Sequence, residues 1–406
     1  MTKKFFLYAI AALAALQSVA AQPRLIVQIV VGSMRGEDLD RYAANFGEGG
    51  FRRLTEGGTV YADSRYDYLQ TTTPVSLATL TTGAMPSTHG VIGSRWVDYT
   101  TNRTVELTAG RKGPGAYHLI APTLAETLLQ HAPGSRAVTI APEAVSAVVM
   151  AGHGGEVFWL DSARCDWVTS PYYAAEVPEW IARSNRERYN LSYIANEWRT
   201  LHERGRYLNT RNYDIALAGK SRKEQDQNGA GRLRLRSDFE RMLYTPAGNT
   251  AVLGLAKQAI AQSAIELVND GDTLLVDSGT TALEFVRLLD QRDGITVITA
   301  DITIADYIDE SMPSVDVVML GGALRKGHRY LYGPLTMQAL QMVHADLAVM
   351  CPGAFVPGCG FTTDFPQMAE TKAAMVGATR QSVALMDASK VNGRGMYRFA
   401  ELADVD

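Results

Sequence analysis

Residues 257–406 predict an α/β domain built on a parallel sheet. Short β-branched apolar runs alternate there with amphipathic stretches at helical spacing. The runs are apolar throughout, as in strands covered on both faces, and glycine- or hydroxyl-rich turns follow most of them.

In chain order, a helix runs from Ala251 to about Val268 and is stopped by Asn269-Asp270-Gly271. Strand Thr273–Val276, helix Ala282–Leu289, strand Ile295–Thr299 and helix Ile302–Ile308 follow. Strand Val315–Leu320, helix Leu335–Val343, strand Leu347–Met350, helix Met368–Thr379 and strand Ser382–Met386 complete the series. Ligands of such sheets bind beyond the carboxyl ends of the strands, so the turns there are the places to search.

The first strand ends in Asp277-Ser278-Gly279-Thr280-Thr281. Gly279 permits a tight turn, the hydroxyls offer hydrogen bonds, and unpaired N–H groups at the helix start suit a phosphate. The plain alternative is an N-cap. The second strand ends in Thr299-Ala300-Asp301. The third ends in Gly321-Gly322 with Arg325 close behind, and the last in Asp387-Ala388-Ser389-Lys390. Glu370 and Lys372 begin a helix after the segment Gly358–Thr363, which as a loop could close over a ligand.

These motifs, read as DSGTT, ITVITAD, VMLGGALR, YGPL, GFTT with AETK, and LMDASK, resemble in order the C-terminal domain of DeoR-type repressors. The resemblance implies a sugar-isomerase/CoA-transferase-like α/β fold that binds a phosphorylated sugar or polyol. It makes Asp277, Ser278, Gly279, Thr280, Thr281, Gly321, Gly322, Arg325, Glu370, Lys372, Asp387 and Lys390 the candidate effector contacts. It also admits a homo-oligomer through this domain. The family's winged-helix domain is not matched, and no element here is suited to enter a DNA groove.

Upstream, Arg24–Val31 reads as a buried strand, a helix-compatible stretch spans Glu37–Phe46, and a helix begins at Phe51. Ala137–Ile140 and Val157–Leu160 read as strands. From His202 to Arg241 the pattern loosens. Its basic runs Lys220–Lys223 and Arg232–Arg236 suit a solvated loop better than a phosphate-backbone contact. Tyr68–Val75, Thr81-Thr82-Gly83, Pro86–Gly90, Gly47–Phe51 and Gly93–Trp96 together resemble the front half of an alkaline phosphatase superfamily enzyme with a threonine nucleophile between two zinc ions. Ala151–His153, Phe158-Trp159 and Thr245–Thr250 extend that resemblance.

By this resemblance Thr73 is the nucleophile position, in vestigial form. Gly32 stands where the family has a metal-binding aspartate, Ser94 where it has a phosphate-contacting asparagine, and Glu143 and Val145 where it has a basic pair. A threonine hydroxyl is a weak nucleophile until a metal or base lowers its pKa. The expected metal set is therefore none, with zinc entering only if the phosphatase reading holds.

Lys3 and Lys4, the apolar stretch Phe5–Leu16 and the small residues Ser18–Ala21 have the layout of a secretory signal peptide, too short for an ordinary membrane span. The expected organisation is a signal peptide at 1–21, a partial alkaline-phosphatase-like domain at 22–256 and the effector-binding domain at 257–406. Export to the periplasm or cell surface follows from the first, a cytoplasmic setting from the last. A net charge of −4 argues against a nucleic-acid-binding surface over the whole molecule. Cys165, Cys351 and Cys359 are too scattered for a zinc cluster or disulfide framework. The reading is a sugar-phosphate-binding regulatory domain, of transcription-regulator type, fused to a catalytically degenerate phosphatase-like segment. Its alternatives are an exported phosphoric-ester hydrolase and a sugar-phosphate isomerase with Glu370 or Asp387 as general base.

Overall fold

In the computed structural model the described residues are 26–32, 34–47, 50–188, 198–199, 232–233, 243, 245–386, 390–391, 393 and 395–405. The expected signal peptide, most of the basic runs and Asp387 lie outside them. The chain divides into two compact units, Met1–Val31 and Gly32–Asp406.

Of the first unit, residues 26–31 form no strand, and the side chains of Ile26, Val27, Ile29 and Val31 are exposed. The buried strand expected at Arg24–Val31 is therefore corrected. An apolar run is extended and buried only where neighbouring strands take its backbone hydrogen bonds, and no ladder is present among these residues.

The second unit opens with α1 (Gly36–Arg41), α2 (Phe51–Gly57), α3 (Thr73–Thr82) and α4 (Pro86–His89). The hairpin β1 (Arg95–Asp98) and β2 (Arg103–Glu106) follows, then α5 (Leu124–His131), β3 (Val138–Ala141), α6 (Ala144–Ala151), β4 (Glu156–Leu160), β5 (Trp167–Val168) and α7 (Glu179–Arg186). Strand β4 pairs parallel with β3 and antiparallel with β5. Helix α5 starts sharply because Thr123 and Glu126 form a capping box. A short antiparallel pair, β6 (Trp198–Arg199) and β7 (Arg232–Leu233), precedes the longest helix, α8 (Pro246–Ile265).

Beyond α8 the α/β alternation is as the sequence predicts: β8 (Thr273–Val276), α9 (Thr280–Val286), β9 (Thr296–Thr299), α10 (Ile302–Ser311) and β10 (Asp316–Met319). The hairpin β11 (Ala323–Arg325) and β12 (Tyr330–Tyr332) leads to α11 (Pro334–Leu340), β13 (Ala345–Met350), β14 (Ala354–Val356), β15 (Gly360–Thr363), α12 (Pro366–Gly377), β16 (Thr379–Ala384) and β17 (Tyr397–Ala400). Five parallel strands lie in the order β10-β9-β8-β13-β16, so the chain winds one way from β8 and the other way from β13. The switch point lies between β8 and β13.

Alternation along these strands sends Leu274, Val276, Val297 and Val349 into one core, and Leu275, Ile298, Ala348 and Met350 into another on the opposite face. Each fully buried Leu, Ile or Val contributes about 1.5–3 kcal/mol. Residues 360–363 do not form the loop expected within Gly358–Thr363. They are β15, buried between β14 and β17.

Helix α8 belongs to both halves. Ala251, Leu255 and Ala259 pack with Phe158, Leu160, Trp167, Trp180 and Ile181 of the N-terminal core. Ala261, Ala264 and Ile265 pack with the β8 and α9 core. The expected boundary between 256 and 257 falls inside this helix.

Candidate functional site

Asp277 directly follows β8 and Cys351 directly follows β13, so the two meet at the switch point, where parallel sheets bind their ligands. Asp277 is almost wholly buried, and every polar contact it makes is local to this point. Its Oδ1 accepts from the Ser278 N–H at 2.8 Å, and its Oδ2 accepts from the Cys351 N–H at 2.8 Å. The same Oδ2 accepts from Lys372 Nζ, which also donates to the Cys351 carbonyl at 2.9 Å. Lys372 reaches in from α12 and is equally buried, its ammonium 5.7 Å from the Phe399 ring centroid. Breaking one partner of such an enclosed pair leaves an uncompensated charge.

Above this pair the 278–281 turn is open to solvent. Gly279 has φ 149°, and a Cβ there would stand 3.2 Å from the Cys351 Cβ, so the turn rests directly on Cys351. Gly279 is the N-cap of α9 and supplies no side-chain cap, while Thr280 is exposed and Ser278 and Thr281 are half-buried. Burial pushes the Cys351 thiol up to about 12, with Asp277 adding to the shift and the charges of Lys372 and Lys390 opposing it. Lys390 therefore lies within electrostatic reach of the cluster. At the end of β9, Asp301 caps α10 through the Thr303 N–H at 2.7 Å and the Ile304 N–H at 3.2 Å. Burial raises its carboxyl pKa against those stabilising bonds, and Asp277 raises it further.

Arg325 sits on the β11–β12 hairpin with its guanidinium 4.2 Å from the Phe365 ring centroid, and donates to Tyr330 Oη at 2.5 Å. Tyr330 is buried, and that burial raises its phenol pKa, with Arg325 opposing and Asp277 reinforcing the rise. Gly321 accepts at its carbonyl from Thr336 Oγ1 at 2.5 Å, and a side chain at Gly322 (φ 149°) would collide with Thr336 and the Tyr332 backbone. Gly322 thus lets the hairpin lie against α11, whereas a Cβ at Gly321 would meet only Leu335 Cβ at 3.9 Å.

The structure joins Asp277, Ser278 and Lys372 through the Cys351 backbone into one hydrogen-bonded group, with Gly279 lying against Cys351. Glu370 is not part of it. It is exposed and precedes Lys372 by two residues, about 200° around the helix, so the two side chains face different ways. Glu370 therefore takes no part in holding the Asp277–Lys372 pair. Cys351, Tyr330 and Phe365 were not expected. Cys351 bonds the pair through its backbone and carries Gly279 on its side chain, and its one signal in the sequence is its place directly after a strand.

At the N-terminal candidate, Thr73 is the exposed first residue of α3, followed by Pro74. The helix is held by its other face, where Val75, Leu77, Ala78 and Thr81 are buried. Tyr68 Oη donates to Thr79 Oγ1 at 2.8 Å, and the Val91 N–H donates to His89 Nδ1 at 3.1 Å. With Nδ1 accepting, the proton sits on His89 Nε2, which donates to Thr79 Oγ1 at 3.1 Å. Burial lowers the His89 pKa, in keeping with a neutral ring. Glu143, at the head of α6, accepts from Ser146 Oγ at 3.2 Å, a contact within its own turn. Among the described residues no three His, Cys, Asp or Glu side chains gather to hold a metal ion. Among the described residues the donors around Thr73 do not make up the pair of zinc sites that the resemblance implies, and no chemical step is routed through them.

Residues 26–228 match the family model of type I phosphodiesterase / nucleotide pyrophosphatase, and residues 255–406 match that of the DeoR C terminal sensor domain. The alkaline phosphatase PafA of Elizabethkingia meningoseptica is 27% identical over 285 residues, 64% of this chain and 51% of that protein. The HTH-type transcriptional repressor GlcR of Bacillus subtilis is 29% identical over 187 residues, 45% of this chain and 71% of that protein. The crystal structure of wild-type PafA aligns with a TM-score of 0.52 at 24% identity, over 72% of this chain and 55% of that one, which establishes a shared fold. The chain spans about half the length of the curated phosphatases it matches.

Proposed function

We propose, for a chain that belongs to the type I phosphodiesterase / nucleotide pyrophosphatase family through residues 26–228 and carries a DeoR C-terminal sensor domain at 255–406, that its working site is the sensor. The sensor binds a phosphorylated sugar or polyol and performs no chemistry on it. One observation carries this reading: the enclosed Asp277–Lys372 pair at the switch point, with the open hydroxyl-bearing turn 278–281 resting on it. The pair holds the turn in shape before a ligand arrives. The hydroxyls of Ser278, Thr280 and Thr281 and the N–H groups at the start of α9 supply donors to a phosphate. Arg325, steadied by Tyr330 and Phe365, supplies a cation for the same ligand.

The N-terminal part is on this reading a catalytically silent relative of phosphate-ester hydrolases. Thr73 is accessible, but no cluster of three or more metal-ligating side chains accompanies it among the described residues. Export remains part of the proposal through the first 21 residues, and the sensor then meets its ligand outside the cytoplasm.

Calorimetric titration with pentose, hexose and polyol phosphates tests this. At least one is expected to bind, and Thr280→Val to weaken it about 10- to 100-fold, as the loss of one charge-assisted hydrogen bond worth about 1.5–3 kcal/mol requires. No heat with any sugar phosphate, together with zinc-dependent release of nitrophenol that vanishes in Thr73→Ala, would reverse the assignment of the working site.

A further inference from the structure

Helix α8 sends side chains into the cores on both sides of the family boundary. Its Leu255 lies against the N-terminal aromatic core, and ten residues later its Ile265 lies in the sensor core; both are essentially inaccessible. Between them Lys257 Nζ donates to Thr280 Oγ1 at 3.3 Å, so the helix also touches the turn assigned to the ligand.

Polar ties flank the helix on either side. Arg183 of α7 forms a forked pair with Asp290 and donates to the Arg287 carbonyl at 2.9 Å. Arg136, paired with Glu156 beside β3 and β4, donates to Ser263 Oγ of α8 at 3.1 Å. Two folding units joined only by a loose linker respond to a perturbation separately. Two units that share a buried helix cannot lose one core without stripping a face from the other.

We infer that α8 is a coupling strut, which makes the phosphatase-like part and the sensor a single cooperative unit and passes occupancy of the 278–281 turn to the N-terminal core. The ligand half of this inference rests on the proposed sensor function; the cooperative half does not.

The sequence carries its own reporter. All five tryptophans (Trp96, Trp159, Trp167, Trp180 and Trp198) precede α8, so tryptophan fluorescence reads the N-terminal part alone. In urea, fluorescence and far-UV circular dichroism of the full chain are expected to follow one superimposable transition. Lys372→Met, which perturbs only the sensor, is expected to lower both midpoints together. Phe285→Leu, a milder change in the sensor core, gives the same reading should Lys372→Met not fold. Arg183→Ala is expected to draw the two curves apart.

A sugar phosphate that binds by calorimetry is expected, at 100 times its Kd, to raise the folded-to-unfolded ratio read by tryptophan about 100-fold. Two separate transitions in the wild type, or a sensor substitution that moves dichroism and leaves fluorescence in place, overturn the strut. Absence of binding by calorimetry counts against the sensor function instead, and the ligand-free curves still decide the coupling.

Discussion

The N-terminal and C-terminal sheets differ in how completely they are covered. The sensor's parallel sheet has packed cores on both faces, and its central strands β8 and β13 are almost fully buried, while the edge strand β10 leaves Val318 and Met319 exposed. The three strands β3, β4 and β5 are covered by α6 on one side and by α7 and α8 on the other, while residues 26–72 contribute no residue to any buried core. Leu69 is wholly exposed, and the apolar side chains of Ile26, Val27, Ile29 and Val31 also face solvent. Apolar content alone does not make a core. A run of valines and isoleucines is buried when strands on either side satisfy its backbone, and exposed when they do not.

That contrast can be broken in four places. The largest effect is expected at Lys372→Met, which strands the Asp277 carboxylate in the sensor interior and removes about 3–5 kcal/mol in urea unfolding. Leu255→Ala follows, at about 2–5 kcal/mol. Measured by tryptophan fluorescence, it shows whether the N-terminal aromatic core depends on α8. Third is a pH response that originates at His89 in the N-terminal part. Burial lowers the His89 pKa, so the unfolded chain takes up that proton more readily than the folded one. Stability from His89 is complete above its ordinary value of 6.5 and is lost as pH falls toward the lowered folded value. A His89→Gln variant should flatten this part of the midpoint-versus-pH curve. Smallest is Leu69→Ser, expected to change stability by no more than about 0.5 kcal/mol, since the side chain touches little. A large loss there would mean that Leu69 is covered in solution.

The sensor's long elements were legible because each strand is a continuous apolar run closed by a turn signal. Thr273–Val276 is observed with the bounds the sequence predicts, and β9, β10 and β13 lie within two residues of theirs. The hairpin β11–β12 was not legible: it is short and interrupted by Lys326-Gly327-His328, and reads as loop. In β15, Gly360-Phe361-Thr362-Thr363 lies in an antiparallel sheet whose partners are as short as itself. At the site, Asp277, Ser278 and Lys372 were readable by residue type. Cys351 was not, because a backbone N–H and carbonyl carry no mark in the sequence, and Glu370 lies apart from the Asp277–Lys372 pair because two residues along a helix turn a side chain to another face.

The switch-point bond from the Cys351 amide to the Asp277 carboxylate joins residues 74 positions apart, across five strands and the three helices α9, α10 and α11. Contacts of that separation form late, since the intervening chain must first be drawn into a closed loop. The innermost strands of the sensor are thus expected to zip together near the end of folding, on a scale of about milliseconds to seconds. Until then α8 has no finished surface on its sensor side, and a nascent chain carries that unfinished face through synthesis.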